Sequence, residues 1–193
     1  QSPIDLTGFV EADLEPLAFA YAAGGHEMEN NGHTVGVHYA EGSHLMVDGI
    51  EFRLLQFHFH SPSENHINGR SFAMEAHLVH ADADGNLAVV ALMIDEGEAS
   101  DGMKVLWESM PEKAGDSNDL SAKFAIDDLL PADRDYYRFS GSLTTPPCTE
   151  GVRWFVLKTP VTASQDQVKT FTDVMGHPNN RPVQPTNARL VLK

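Results

Sequence analysis

The sequence predicts a mainly β, α+β domain spanning residues 1–193, with a few short helices. Three observations lead there. Most apolar residues fall in short alternating or continuous runs of strand length rather than at helical spacing. Turn pairs, Asn31-Gly32, Glu41-Gly42, Asp48-Gly49 and Asp84-Gly85, separate those runs. Only two stretches of any length carry apolar residues with a helical period.

Taken in order, residues 1–50 are irregular and then β-rich, with the first three turn pairs reading as hairpins. Residues 51–60 form a strongly apolar strand, and "SPSENHINGR" (61–70) is a loop by composition. "FAMEAHLVH" (72–80) and "LAVVALMI" (87–94) read as two more strands around the Asp84-Gly85 turn. Residues 98–113 are a helix candidate, with Met103, Leu106, Trp107 and Met110 at helical spacing and Pro111 near the end. "FAIDDLLP" is a short helical turn, and "YYRFSGSLTTPPCTEGVRWFVLK" is strand, Pro-bearing loop, strand. Residues 164–175 are the second helix, with Ser164 as N-cap and Gly176 as the stop. The tail "NNRPVQPTNARLVLK" is extended and broken by prolines. No repeat or linker divides the chain.

A length of 193 residues suits one domain with a sizeable core. The 28 acidic and 13 basic side chains give a net charge of −15, which argues against nucleic acid or an anionic membrane surface as partner. No stretch of about 18 consecutive apolar residues marks a membrane-spanning helix. The chain begins at Gln1 without a methionine or a visible secretory leader, which is expected of a processed or truncated chain. Cys148 stands alone, read either as a buried thiol or as half of a disulfide.

"RLLQFHFH" (53–60) carries the chemistry. Residues two apart share one face of a strand, so Gln56, His58 and His60 point one way and Leu55, Phe57 and Phe59 point into a core. On the later strand Glu75, His77 and Val79 share a face. If the two strands are antiparallel neighbours, His58, His60 and His77 converge on one point. Three neutral imidazoles leave one position of a tetrahedral zinc open, the arrangement of a catalytic site. Gln56 and Glu75 each lie two residues from a histidine on its own face, placed to accept its second N–H. The plainer reading is of ordinary structural histidines, applied here to His26, His38, His44, His66, His80 and His177. A rival pattern, His58-x-His60-x₃-Glu64 with Gly69 and a later histidine, resembles the metal motif of cupins, where Glu64 would be a fourth ligand to iron or manganese. Thr144-Thr145 before Pro146-Pro147 is by itself a turn with restricted backbone, able to hold one hydroxyl rigidly.

These residues, together with "QSPIDL", "NNGHTV", "QFHFHSPSENH", "EAHLVH", "GSLTTPPCTEGVRW" and "NNRPVQP", give the sequence its resemblance to the α-class carbonic anhydrases of the bacterial secreted or periplasmic kind. The motifs occur in the family's order along the whole chain, and the cupin reading has no use for the last two. The resemblance implies a central twisted, mostly antiparallel sheet of about ten strands with short surface helices. It implies reversible hydration of carbon dioxide to bicarbonate and a proton, with Zn2+ held by His58, His60 and His77. Gln56, Glu75 and the Asn179 backbone would orient the three rings. Thr144 would accept from the attacking hydroxide and donate to Glu64. Thr145 would contact bicarbonate or an inhibitor such as a sulfonamide. Val79, Val89, Leu143 and Trp154 would form the apolar wall where CO₂ rests, and His33 would relay protons to solvent. Relatives of this kind are often homodimers, and some members of the fold are non-catalytic binding domains that usually lack a zinc histidine.

The match also departs from the pattern. The family normally carries a further N-terminal stretch with aromatic residues and, in bacterial members, a cysteine paired with the one in "TTPPC". A disulfide there would brace the Thr144 loop by about 2–4 kcal/mol. Gly36 stands where many relatives carry a polar residue.

Overall fold

The computed structural model describes residues 1–193, apart from the side chains of 121–123. Its strands run, in chain order, β1 Asp5–Leu6, β2 Ala18–Ala20, β3 Gly25–Asn30, β4 Val35–Tyr39, β5 His44–Val47, β6 Ile50–His60, β7 His66–Ile67, β8 Met74–Ala81, β9 Leu87–Glu96, β10 Ser117–Phe124, β11 Tyr136–Ser142, β12 Glu150–Leu157 and β13 Val161–Ala163. Two helices, α1 Asp101–Trp107 and α2 Gln165–Met175, lie beside them. Eleven of the strands form one sheet whose main path is β10-β3-β4-β6-β8-β9-β12-β11. All pairings along it are antiparallel except β9 with β12, and β13 adds to β9 in parallel. The expected sheet of about ten mostly antiparallel strands is thus present.

The centre of the sheet holds the motif strands. β6 and β8 are antiparallel neighbours, with His58 opposite His77 and His60 opposite Glu75. The pleat sends their alternate residues to opposite faces. One face buries Phe57, Phe59, Leu78, Val90 and Leu92 against Leu106 of α1 and Phe171 of α2. The other buries Val79, Val89, Met93, Phe139 and Trp154 in a second apolar cluster. Full burial of side chains of this size contributes about 1.5–3 kcal/mol each.

Several expectations are corrected. A register shift between Leu54 and Gln56 places Leu54, rather than Leu55, in the core at 1 % exposure. The extra residue of a bulge resets the alternation just before Gln56, so the histidines keep their common face. Asp48-Gly49 closes the β5–β6 hairpin, with both residues at positive φ (53° and 70°), as a tight two-residue turn requires. Glu41-Gly42 closes no hairpin, because β4 and β5 both pair with β6 and not with each other. The first helix is shorter than 98–113. Ser100 caps it by accepting from the Met103 N–H, and it ends at Trp107. Residue 110 precedes a proline and is steered out of helical geometry. β10 is not among the expected strands: residues 117–119, which pair continuously with β3, are wholly polar, and apolar alternation begins only at Leu120, Ala122 and Phe124. In α2, Ser164 and Gln167 form a reciprocal capping box and Gly176 adopts the left-handed stop conformation, as expected. No helix among the described residues is long and apolar enough to cross a membrane.

Candidate metal centre

His58, His60 and His77 each offer a ring nitrogen, and these atoms all lie within 4.8 Å of one another. Each ring meets an acceptor at its other nitrogen, through a hydrogen bond for His58 and His60 and through an ion-pair contact for His77. His58 Nδ1 donates to Gln56 Oε1 at 2.9 Å, and His60 Nδ1 donates to the Asn179 carbonyl at 3.0 Å. His77 Nε2 stands 2.9 Å from Glu75 Oε1. Holding one nitrogen as N–H leaves the opposite nitrogen with its lone pair free, aimed at the common centre. His60 Nε2 is buried there without a hydrogen-bond partner, which is costly unless something fills the coordination role. The donor set therefore fits a divalent zinc site of three histidines with one position open.

The electrostatics agree. Burial pushes the His58 imidazole well below the ordinary histidine range, and the neighbouring His60 and His77 push the same way. Burial also lowers His60, and the opposing pull of Glu64 does not undo it. Both rings are thus held neutral, the form that ligates. For His77 burial again works downward, but the Glu75 carboxylate outweighs it and raises the ring above its ordinary value. Burial would raise Glu75 itself, yet His77 and the hydrogen bonds from Asn65 keep it below the usual carboxylate range. The pair reads as a carboxylate holding a proton on His77 Nε2.

Glu75 is supported in turn. Its Oε2 accepts from the Glu64 N–H at 2.7 Å and the Asn65 N–H at 2.8 Å, and its Oε1 accepts from Asn65 Nδ2 at 2.7 Å. The sequence singles out neither Asn65 nor Arg181. Arg181 matters through its backbone N–H, which donates to Glu64 Oε1 at 2.7 Å. Main-chain donors carry no residue signature, so only the motifs "SPSENH" and "NNRPVQP" pointed near them.

The remaining expected residues divide. His33 is exposed and lines a cleft of about 460 Å³ together with Gly36, Gln56, His58 and Thr145. Val79, Val89 and Trp154 are buried, and Leu143 packs against them. The Trp154 ring lies 4.9 Å from that of His77, edge to face, so this apolar wall borders the centre. Thr144 is half-buried on the loop after β11. The expected hydrogen bond from Thr144 to Glu64 is not formed in this structure. Glu64 Oε2 is buried without a partner, 3.5 Å from His60 Nε2 and 3.8 Å from His77 Nδ1. Cys148 is a free thiol. Its loop is tied by Gln1 Nε2, which donates to the Cys148 carbonyl at 3.2 Å, and by Ser2 N–H, which donates to Ser142 Oγ at 2.8 Å. His80 turns to the opposite face of the sheet, where its Nε2 lies 2.7 Å from the Tyr21 hydroxyl.

Comparison with known proteins agrees with this geometry. Residues 1–193 match the family described as eukaryotic-type carbonic anhydrase. The carbonic anhydrase of Pectobacterium carotovorum is 47% identical over 192 residues, covering 100% of this chain and 79% of that protein. The α-carbonic anhydrase of Thermovibrio ammonificans, solved with the inhibitor sulfanilamide, superposes with a TM-score of 0.98 at 47% identity, covering 100% of this chain and 86% of that one. The Photobacterium profundum α-carbonic anhydrase superposes with a TM-score of 0.96 at 48% identity, covering 100% of this chain and 88% of the other. With the three-histidine centre on the middle strands of the sheet and the family match running from end to end, this chain belongs to the eukaryotic-type, or α, carbonic anhydrase family.

Proposed function

We propose that the chain hydrates carbon dioxide reversibly to bicarbonate and a proton at the centre formed by His58, His60 and His77. The observation that carries the reading is the convergence of three imidazoles, each fixed through its second nitrogen, beside an apolar wall. Zinc held by these rings would supply Lewis acidity that lets water ionise near pH ~7, a value for which carbonic anhydrase is itself the reference case.

The chain's own residues do the rest. Gln56, Asn179 and Glu75 keep the three rings in register. Val79, Val89, Leu143 and Trp154 offer an apolar surface on which CO₂, with no net dipole, rests loosely beside His77. Glu64 Oε2 is the acceptor available to the Thr144 hydroxyl, which then offers its own lone pair to a donor and so selects the proton-bearing form of what enters. Thr145, on the cleft wall, contacts the bicarbonate product. His33, exposed on the cleft wall, takes up the released proton and gives it to solvent. A primary sulfonamide would occupy the same cleft; the Thermovibrio ammonificans protein was solved in complex with the inhibitor sulfanilamide.

The alternative is a non-catalytic binding domain on the same fold. The complete histidine set favours the enzyme. Stopped-flow CO₂ hydration, with zinc content measured on the same sample, decides. Rapid, chelator-sensitive hydration at about one zinc per chain is expected for the three-histidine site. Zinc bound without turnover would establish the binding reading instead.

A further inference from the structure

Asn179 satisfies every polar group it has, and it does so on functional segments. Its N–H donates to the Ser61 carbonyl at 3.3 Å, and its carbonyl accepts from His60 Nδ1 at 3.0 Å. Its side-chain Oδ1 accepts from the Ser61 N–H at 2.8 Å. Its Nδ2 donates to two carbonyls, that of His33 at 3.1 Å and that of Phe59 at 3.0 Å. The partners dictate the amide's orientation, since an N–H must face Oδ1 and two carbonyls must face Nδ2. The ring of His60 needs only the Asn179 backbone. The side chain has a separate task.

That task is set by what lies on either side of it. Phe59 and Ser61 flank His60 at the end of β6, while His33 sits on the exposed connection between β3 and β4. Across that gap the structure shows one other side-chain tie, from Thr34 Oγ1 to the Phe59 carbonyl at 2.6 Å; within the turn itself Asn31 Oδ1 accepts from the His33 N–H at 2.9 Å. We propose that the Asn179 side chain is a positioning residue for proton relay, fixing the His33 segment at a set distance from the His60 end of β6. This rests on the reading of His33 as the relay. Proton transfer through water depends on the relay's placement, while attack on CO₂ does not involve it, so the two steps respond separately to loss of the clamp.

The test uses zinc-loaded Asn179→Asp, Asn179→Ala and His33→Ala proteins. Asn179→Asp keeps the acceptor for Ser61 but loses both donations from Nδ2. Asn179→Ala loses all three side-chain bonds and keeps the carbonyl for His60. Two readouts are taken: steady-state hydration with and without added imidazole, and backbone amide hydrogen exchange. For Asn179→Asp we expect kcat to fall about three- to tenfold while kcat/KM stays within about twofold, with imidazole restoring kcat. Exchange at His33 and Thr34 should rise in both Asn179 variants, whereas exchange at Ser61 should rise only in Asn179→Ala. Parallel loss of kcat and kcat/KM without imidazole rescue would make the side chain a general structural prop and overturn the proposal. Unchanged kcat with unchanged exchange at His33 and Thr34 would overturn it too. If His33→Ala shows no imidazole-rescuable loss, the relay assignment fails by itself. Asn179 is then judged on exchange alone, and unchanged exchange at 33–34 in Asn179→Asp refutes its positioning role.

Discussion

Glu75 and His77, two apart on the same face of β8, hold the carboxylate Oε1 and the ring Nε2 2.9 Å from each other with at most 2 % of either side chain exposed. The relationship is worth more than its one contact. All four of the contacts Glu75 makes face hydrogen-bond donors, two of them backbone amides of residues 64 and 65. The carboxylate therefore orders the loop carrying Glu64 as well as the ring of His77.

Glu75→Gln should be severe despite its near-identical shape. The amide NH₂ must face either the two backbone N–H groups or the donors Asn65 Nδ2 and His77 Nε2, and in each case donors oppose donors. We expect zinc affinity to fall by about 10- to 100-fold, the usual cost of losing a partner behind a metal ligand. Competition titration against a chromogenic chelator measures it. Affinity within twofold of the parent protein would contradict this account.

His77→Ala, or equally His58→Ala, should bring hydration to background and reduce bound zinc. Each removes one of three ligands from a site with no fourth histidine among the described residues. Hydration at the parental rate by a verified zinc-free His77→Ala protein would sink the metal-centre assignment.

His33→Ala should slow turnover by up to on the order of 10²-fold in weakly buffered solution, with imidazole recovering much of the loss. Zinc content and kcat/KM should stay as they were. A turnover insensitive to both the substitution and the buffer would remove His33 from the relay.

His80 links fold stability to pH. Burial lowers its imidazole from the ordinary 6.5 to about 4, with backbone contacts opposing only in part. The unfolded chain therefore binds a proton that the folded chain refuses between these values. Stability is fully present above about pH 6.5 and is lost as pH falls toward 4, by roughly 3 kcal/mol in all. Urea unfolding of the zinc-free protein at pH 7 and pH 4.5 should show a steeper loss for the parent than for His80→Gln. Equal slopes would count against a neutral buried His80.

Gly36 lies opposite His58 in the β4–β6 ladder. A Cβ there would sit 3.1 Å from His58 Cβ and 3.1 Å from the Phe57 carbonyl, both on the ligand strand. Gly36→Ala removes about 0.5–1 kcal/mol of glycine's entropic cost in a strand but obliges β6 to give by a few tenths of an ångström, so its main effect should be to loosen zinc by moving β6, with a net loss of stability below about 1 kcal/mol. Thermal unfolding and chelator-driven zinc release read the two effects. Unchanged zinc release would show that the strands part there without strain.

Much of the site was legible because β geometry is local. A period of two placed Gln56 with His58 and His60, and Glu75 with His77, on common faces before any strand partner was known. The cap and stop of α2 were legible for the same reason, since Ser164, Gln167 and Gly176 act within a turn of where they stand. The bulge at Leu55 was not, because it answers to what the neighbouring strand requires; in β10 the alternation of Leu120, Ala122 and Phe124 is short and follows a wholly polar start at 117–119.

Which side chains share a face, where helix α2 begins and stops, and which motifs mark the family can be read from the chain alone. That β8 lies beside β6 with His58 opposite His77 is a property of the folded sheet. Folding alone brought the Asn179 carbonyl to His60 and the Arg181 N–H to Glu64, across more than a hundred residues of chain. It also left Thr144 and Glu64 without the hydrogen bond that the family pattern implies. The reason is physical: alternation and capping follow from the dihedral angles of adjacent residues, whereas strand order and long-range donors follow from the burial of two apolar faces at once, a property of the assembled sheet.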